Sequence, residues 1–247
     1  MVTAIIGAGT PEATWQEWPA LHTFPALELA GCTRALLVAP HPDDEVLGCG
    51  GLLRLLHQRG VRTEIVAVTD GGASHPDSPT VRPEELAVLR RTESRRALAR
   101  LGLGDVPVRR LGCADGAVAE AVVTARLADL LGETTASTWC LATWRGDGHP
   151  DHEAVGRATT RACAQTGARL LEYPIWTWHW AAPGDPRVPW DRARAVSLDA
   201  ATRAAKLAAV DCFDSQIRPL SAHPADQVVL DGATLRRLTR DFEVVLG

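Results

Sequence analysis

Along the first two thirds of the chain, short apolar runs alternate with longer amphipathic stretches. "RALLVAP" (34–40) reads as a buried strand, "EVLGCGGLLRLLHQRG" (45–60) as a helix and "VRTEIVAVTD" (61–70) as a second strand. "PEELAVLRRTESRRALARLG" (83–102) reads as a long amphipathic helix. Pro83 and two acids mark its start, and Gly102 lies past its end. The pattern continues with strand 106–111, helix 117–132, strand 138–143, helix 152–167 and strand 169–173. Strands separated by helices require right-handed crossovers and a mostly parallel sheet, so the expected fold is an α/β, Rossmann-like three-layer sandwich. Ligands in such sheets sit beyond the carboxyl ends of the strands. The loops after residues 40 and 143 are therefore the places to search for chemistry.

Composition narrows the function classes. A chain of 247 residues with 46% hydrophobic content can bury a substantial core and fits the size of one α/β domain. One domain over 1–247 is expected, with 1–33 as an N-terminal extension of unassigned role. Trp15, Trp18 and Phe24 would clamp that extension onto the domain or onto a neighbouring subunit. The net charge is −4 and the arginines are interleaved with acids, which argues against a nucleic-acid partner. No apolar run reaches the roughly 18 residues a membrane span needs, and the first residues lack the pattern of a signal peptide. The six cysteines form no CxxC pair and read as reduced packing residues, so a cytoplasmic location is expected. A homo-oligomer is compatible with all of this.

"APHPDDEVLGCGG" (39–51) packs a histidine, two aspartates and a glutamate between a strand and a helix start. His41 and Asp44, three apart across the turn into the helix, can converge on one point, while Asp43 is aimed elsewhere. An imidazole nitrogen and a carboxylate oxygen suit zinc, but two ligands are too few. "WRGDGHPDHEAVGRA" (144–158) again follows a strand and opens a helix, with His149 and His152 bracketing Asp151. Both clusters fall on the same edge of the sheet, and one shared metal explains both.

These two motifs resemble those of the zinc-dependent de-N-acetylases called PIG-L or LmbE-like. His41 to Glu45 match the first motif and His149 to His152 the second. "RRTESRRALARLG" (90–102) and "AAKLAAVDCFDSQI" (204–217) are also similar to the family. The resemblance implies His41, Asp44 and His152 as ligands of one zinc ion, with iron(II) or another divalent ion as alternatives, and open positions for water and the substrate carbonyl. It implies Asp43 as general base and a protonated His149 as oxyanion stabiliser and proton donor to the leaving amine, its tautomer and raised pKa maintained by Asp151. It places Arg90, Glu93 and Asp115 along the site. The implied substrate is an N-acetyl or N-acyl amino sugar or a glycoconjugate. Thr69-Asp70-Gly71-Gly72 lacks an acid that many relatives carry after the glycine, and Asp147 stands where a relative has tyrosine or aspartate.

Other signals leave alternatives open. Arg90 and Glu93 could form an exposed charged helix face, Asp115 could be a turn and helix-capping residue, and Gln216 could steady the site. The segment 172–190 carries four tryptophans interrupted by prolines. Trp176, Trp178 and Trp180 would fill the core beneath a loop, or form with His179 a substrate-cleft wall. "GAGTPE" (7–12) lacks the third glycine of a dinucleotide motif, and "SHPDS" (74–78) reads as a mobile loop over the site. His22, His57 and His223 are isolated. A non-catalytic sugar- or partner-binding protein, or a metal-dependent phosphoesterase, is the competing function, though a binding protein has no need of Asp43.

Overall fold

The computed structural model describes Ile5 and residues 7–247. Its strands, β1 (Arg34–Ala39), β2 (Arg62–Ala67), β3 (Val108–Arg110), β4 (Thr138–Thr143), β5 (Arg169–Tyr173), β6 (Ala193–Ser197) and β7 (Phe242–Leu246), form one sheet in the order β3-β2-β1-β4-β5-β7-β6. The first five in that order run parallel, whereas β7 is antiparallel to both β5 and β6. Leu37 sits opposite Ile65 on one side and Leu141 on the other. Chain order reverses direction across the sheet between β1 and β4, which makes their carboxyl ends the switch point where a crevice opens.

The helices follow from the strands' two-sided burial. Alternate residues of β1 face opposite layers, and both faces are apolar, as a covered parallel sheet requires. Leu36 and Val38 pack with Val123, Leu127 and Leu131 of α5 (Glu120–Leu131) and with Val155, Ala158 and Ala162 of α6 (Pro150–Thr166). Ala35, Leu37 and Ala39 pack on the other layer. There they meet Leu52, Leu53 and Leu56 of α3 (Gly50–Gln58) and Ala97 and Leu98 of α4 (Pro83–Arg100). The remaining helices are α1 (Glu12–Gln16), α2 (Asp44–Leu47), α7 (Thr177–Trp180), α8 (Ala200–Val210), α9 (Asp214–Ile217) and α10 (Gly232–Leu238). The three-layer α/β sandwich expected from the alternation is therefore present, and α6 lies close enough to β4 that a side chain on Gly156 would meet the Thr143 carbonyl oxygen at 2.6 Å.

Three expectations are corrected. The helix over 45–60 is two helices, α2 and α3, broken at Gly48 and Cys49. A Cβ on Gly48 would lie 2.2 Å from the Tyr173 ring, so the close crossing over β5 needs glycine there. Residues 172–190 are not all loop, because 172–173 complete β5 and Thr177–Trp180 make one helical turn. Against the expectation that no clear helix follows "GAGTPE", a short helix, α1, does, although no strand precedes that motif within the described residues.

Residues 7–27 pack onto the rest of the chain. Trp15 is fully buried and donates its indole N–H to the Trp178 carbonyl at 2.9 Å. Its ring stands edge-on to that of Trp178 at 5.0 Å, and Trp18, Phe24 and Trp190 extend the aromatic group. Glu12 accepts two hydrogen bonds from Arg240, at 2.8 and 2.6 Å. All six cysteines are free thiols. Among the described residues, no helix is long and apolar enough to cross a membrane.

Candidate active site

Both motif loops open at the switch point. Asp43 precedes α2, Asp44 begins it, His149 caps α6 and His152 lies in the first turn of α6. His41 Nδ1 and Asp44 Oδ2 are 3.2 Å apart, His152 Nε2 and Asp44 Oδ2 3.3 Å, and His152 Nε2 and His41 Nδ1 3.3 Å. Three donors bonded at about 2.0–2.1 Å to one tetrahedral ion are separated from each other by roughly 3.3 Å. The triangle thus fits a single ion. His41 also belongs to two wider groupings of metal-competent side chains, one with His149 and His152 and one with Asp115 and Asp151.

The far nitrogen of each triangle histidine is held by carboxylates, the arrangement that orients metal-binding imidazoles. His152 Nδ1 lies 2.8 Å from Asp147 Oδ2. Asp147, fully buried, also accepts from the main-chain N–H groups of Ile175, Trp176 and Thr177 and from the Thr177 hydroxyl, tying the tryptophan-rich segment to the site. His41 Nε2 lies 3.1 Å from Asp115 Oδ1 and 3.2 Å from Asp151 Oδ2.

That last contact overturns the expected Asp151–His149 pairing. The Asp151 carboxylate is directed to His41 and to the N–H groups of Gly116 and Val118. His149 Nδ1 instead accepts from the main-chain N–H of Asp151 at 3.2 Å, which leaves the proton of the neutral ring on Nε2. Burial and the neighbouring charges of His152 and His41 push the His149 pKa down to about 4, so the expectation of a raised pKa is also wrong.

Asp43 stands outside the triangle. Its φ of 143° is the one positive value at a non-glycine residue among the described residues. Its N–H donates to Glu45, and its Oδ2 accepts from Arg90 at 3.0 Å. Arg90 is buried, not part of an exposed face; its other bonds go to the carbonyls of Gly71 and Pro42, and its Nε has no partner. Glu93 is equally buried and accepts from the N–H and hydroxyl of Ser215, fixing the segment that carries Gln216. Asp115 does not cap α5; its second oxygen accepts from the Ala73 N–H at 2.6 Å.

Burial pushes the Asp43 carboxyl up to about 7, with Arg90 opposing and Asp44 adding to the rise. Burial would lower His152, yet Asp44 and Asp147 bring it up to about 9. His41 is likewise raised well above its ordinary value, Asp115, Asp151 and Asp44 outweighing burial. Asp44 is lowered despite burial, because His152 and His41 face it.

The triangle, Asp43, Arg90, Asp115 and His149 line a cavity of about 560 Å³, together with Ser74, Trp176, His179 and Gln216, whereas Glu93, Asp147 and Asp151 stand behind its wall. Trp178 does not line it. That side chain is 4% exposed, packed against Trp15 and beneath the Arg240 guanidinium, and belongs to the core, so its assignment as a substrate contact is corrected. Trp176, at the N-cap of the one-turn helix α7, and His179 within it face the cavity while Trp178 turns away, an orientation that the composition of the segment did not carry. His179 Nδ1 meets Arg237 at 3.0 Å. The 74–78 loop is anchored: His75 is buried beside the Gln227 carbonyl, and Ser78 and Thr80 donate to the buried Asp226. His22, His57 and His223 lie off the cavity.

Comparison with known proteins agrees with this geometry. A probable N-acetyl-alpha-D-glucosaminyl L-malate deacetylase 2 of Bacillus cereus is 32% identical over 135 residues, covering 53% of this chain and 60% of the relative. The chain thus spans about three-fifths of the length of the first curated relatives it matches. A deacetylase of the teicoplanin biosynthetic pathway is 25% identical with a TM-score of 0.56, over 74% of this chain and 83% of that one. The deacetylase of an antimicrobial pseudoaglycone shares the fold at 22% identity and a TM-score of 0.59, over 86% and 96%. The family model described as PIG-L, GlcNAc-PI de-N-acetylase, matches residues 36–163, just over half the chain, with both motif loops inside it, and the chain belongs to that family.

Proposed function

We propose that the protein is a zinc-dependent hydrolase that removes an N-acetyl or other N-acyl group from an amino sugar, free or within a glycoconjugate. The observation that carries this reading is the donor triangle of His41, Asp44 and His152, with Asp43 beside it but not part of it. Two imidazoles and one carboxylate are a catalytic zinc set, and they also suit iron(II). The chemistry a divalent ion would supply there is polarisation of an acyl oxygen and a lowered pKa for a water. Asp43, raised to about 7 by burial and oriented by Arg90, would take a proton from the attacking water and return it to the departing amine nitrogen. His149, neutral with its proton on Nε2, donates a hydrogen bond to the developing oxyanion. Asp147, Asp115 and Asp151 hold the two ligand imidazoles in place. The whole of 1–247 acts as one domain in this reading, located in the cytoplasm.

The test is release of acetate from N-acetylglucosamine compounds, set against release of phosphate from phosphoesters, with and without chelator. Chelator-sensitive acetate release is the expected result. Phosphate release alone would establish the phosphoesterase reading, and binding without turnover the non-catalytic one. Metal content after anaerobic preparation separates zinc from iron(II).

A further inference from the structure

The cavity lining is of two kinds. Beside the triangle, Asp43, Arg90, Asp115 and His149 stand five apolar residues, Ile5, Trp176, Val228, Val229 and the largely buried Leu230, with His179, Asp231 and Thr234 near them in sequence. None of these five apolar residues falls within the matched residues 36–163. Their wall is firmly constructed. The N–H groups of Val229 and Leu230 both donate to the Gln216 carbonyl, at 3.0 and 2.9 Å. Arg237 donates to the carbonyls of Ala8 and Thr10 while contacting His179, and Asp226 gathers the hydroxyls of Ser78, Thr80 and Ser221.

Charge separates the kinds of group such a wall could receive. Arg90 is the one lysine or arginine among the described lining residues, and both of its terminal nitrogens are occupied by Gly71, Pro42 and Asp43. A guanidinium so engaged cannot grip a carboxylate or phosphate with two parallel bonds. The same cavity presents Asp43, Asp44, Asp115 and Asp231. An anionic appendage therefore meets repulsion where an apolar one meets surface to bury against.

We propose that this site selects amino-sugar substrates bearing an uncharged apolar appendage, received by Ile5, Trp176 and Val228 to Leu230. The inference rests on the N-deacylase reading. The appendage is either the aglycone or a longer acyl chain, and the two share one chemistry.

Initial rates of acid release from four compounds test it: N-acetylglucosamine, its octyl glycoside, its malate glycoside and N-octanoylglucosamine. One octyl-bearing compound should exceed both N-acetylglucosamine and the malate glycoside by about tenfold or more in kcat/KM. Which one does so identifies aglycone or acyl chain as the source. Val229→Lys, with an unchanged melting temperature, should narrow the octyl-to-malate ratio by about tenfold. A malate glycoside hydrolysed as well as the octyl compounds overturns the proposal while leaving the deacylase reading intact. If no acid is released from any compound, the deacylase reading falls. Calorimetry then judges the wall, and octyl glucosaminide binding no tighter than glucosamine overturns it.

Discussion

Asp43 combines two costs at one position, a buried carboxylate and a backbone in the region that favours glycine. Such a conformation costs on the order of 1–3 kcal/mol at a non-glycine residue. Asp43→Gly should therefore melt higher than Asp43→Ala, while both lose at least about a hundredfold in turnover and keep their metal; equal melting temperatures would show the backbone to be unstrained. The pH dependence follows from the same residue. Asp43 accepts a proton only as a carboxylate; burial raises its carboxyl to about 7 before an ion binds and a neighbouring cation lowers it again, so activity should fall on the acid side at or below that value. His149, lowered to about 4, stays neutral over the working range, so His149→Gln should reduce turnover by about two to three powers of ten without moving the acid limb. A displaced limb would assign the titration to His149. His152, brought up to about 9, carries a proton at pH 7 before an ion binds. Metal uptake should thus release protons and weaken as pH falls, which calorimetry in buffers of different ionisation enthalpy measures.

At the scale of elements, the loop from β4 to α6 does more than present His149 and His152. Through Asp147 it binds the amides that follow β5, so one carboxylate sets both the His152 imidazole and the start of α7. Asp147→Ala leaves several buried donors unpaired, at about 1–3 kcal/mol each before relaxation. It should lower metal affinity by about 10–100-fold and depress the melting temperature together; loss of stability with unchanged affinity would separate the two roles. The strands β1, β2, β4 and β5 and both motif loops were legible because apolar runs and turn residues mark them locally. The antiparallel pair β6 and β7 was not, since their partners are nearly fifty residues apart and no tight turn joins them. Arg90 and Glu93 illustrate a different limit. Charge on a helix suggests solvent, and only the packing of α4 against the site loops shows that these two are buried. Trp178 and Trp176 are two positions apart in a sequence of similar residues, and which of them faces the cavity depends on a single helical turn.

Across the whole molecule, residues 8–15 are joined to the C-terminal third by two buried arginines, Arg237 on the carbonyls of Ala8 and Thr10 and Arg240 on Glu12. Arg240 also lies over the Trp178 ring at 4.2 Å. Arg240→Ala removes both the pair and the stacking, leaving Glu12 and the indole face uncovered, and should destabilise by about 2–4 kcal/mol in chemical denaturation. Metal content should stay unchanged, because no ligand residue touches this clamp; loss of the ion would reveal coupling between the two regions. The apolar wall residues of the cavity come from different parts of the chain than the two motifs. Ile5, Trp176 and Val228 to Leu230 lie outside the matched residues 36–163, whereas both motif loops lie inside them. A change at Val228 or Val229 would thus reshape the cavity at a distance in sequence from His41, Asp44 and His152.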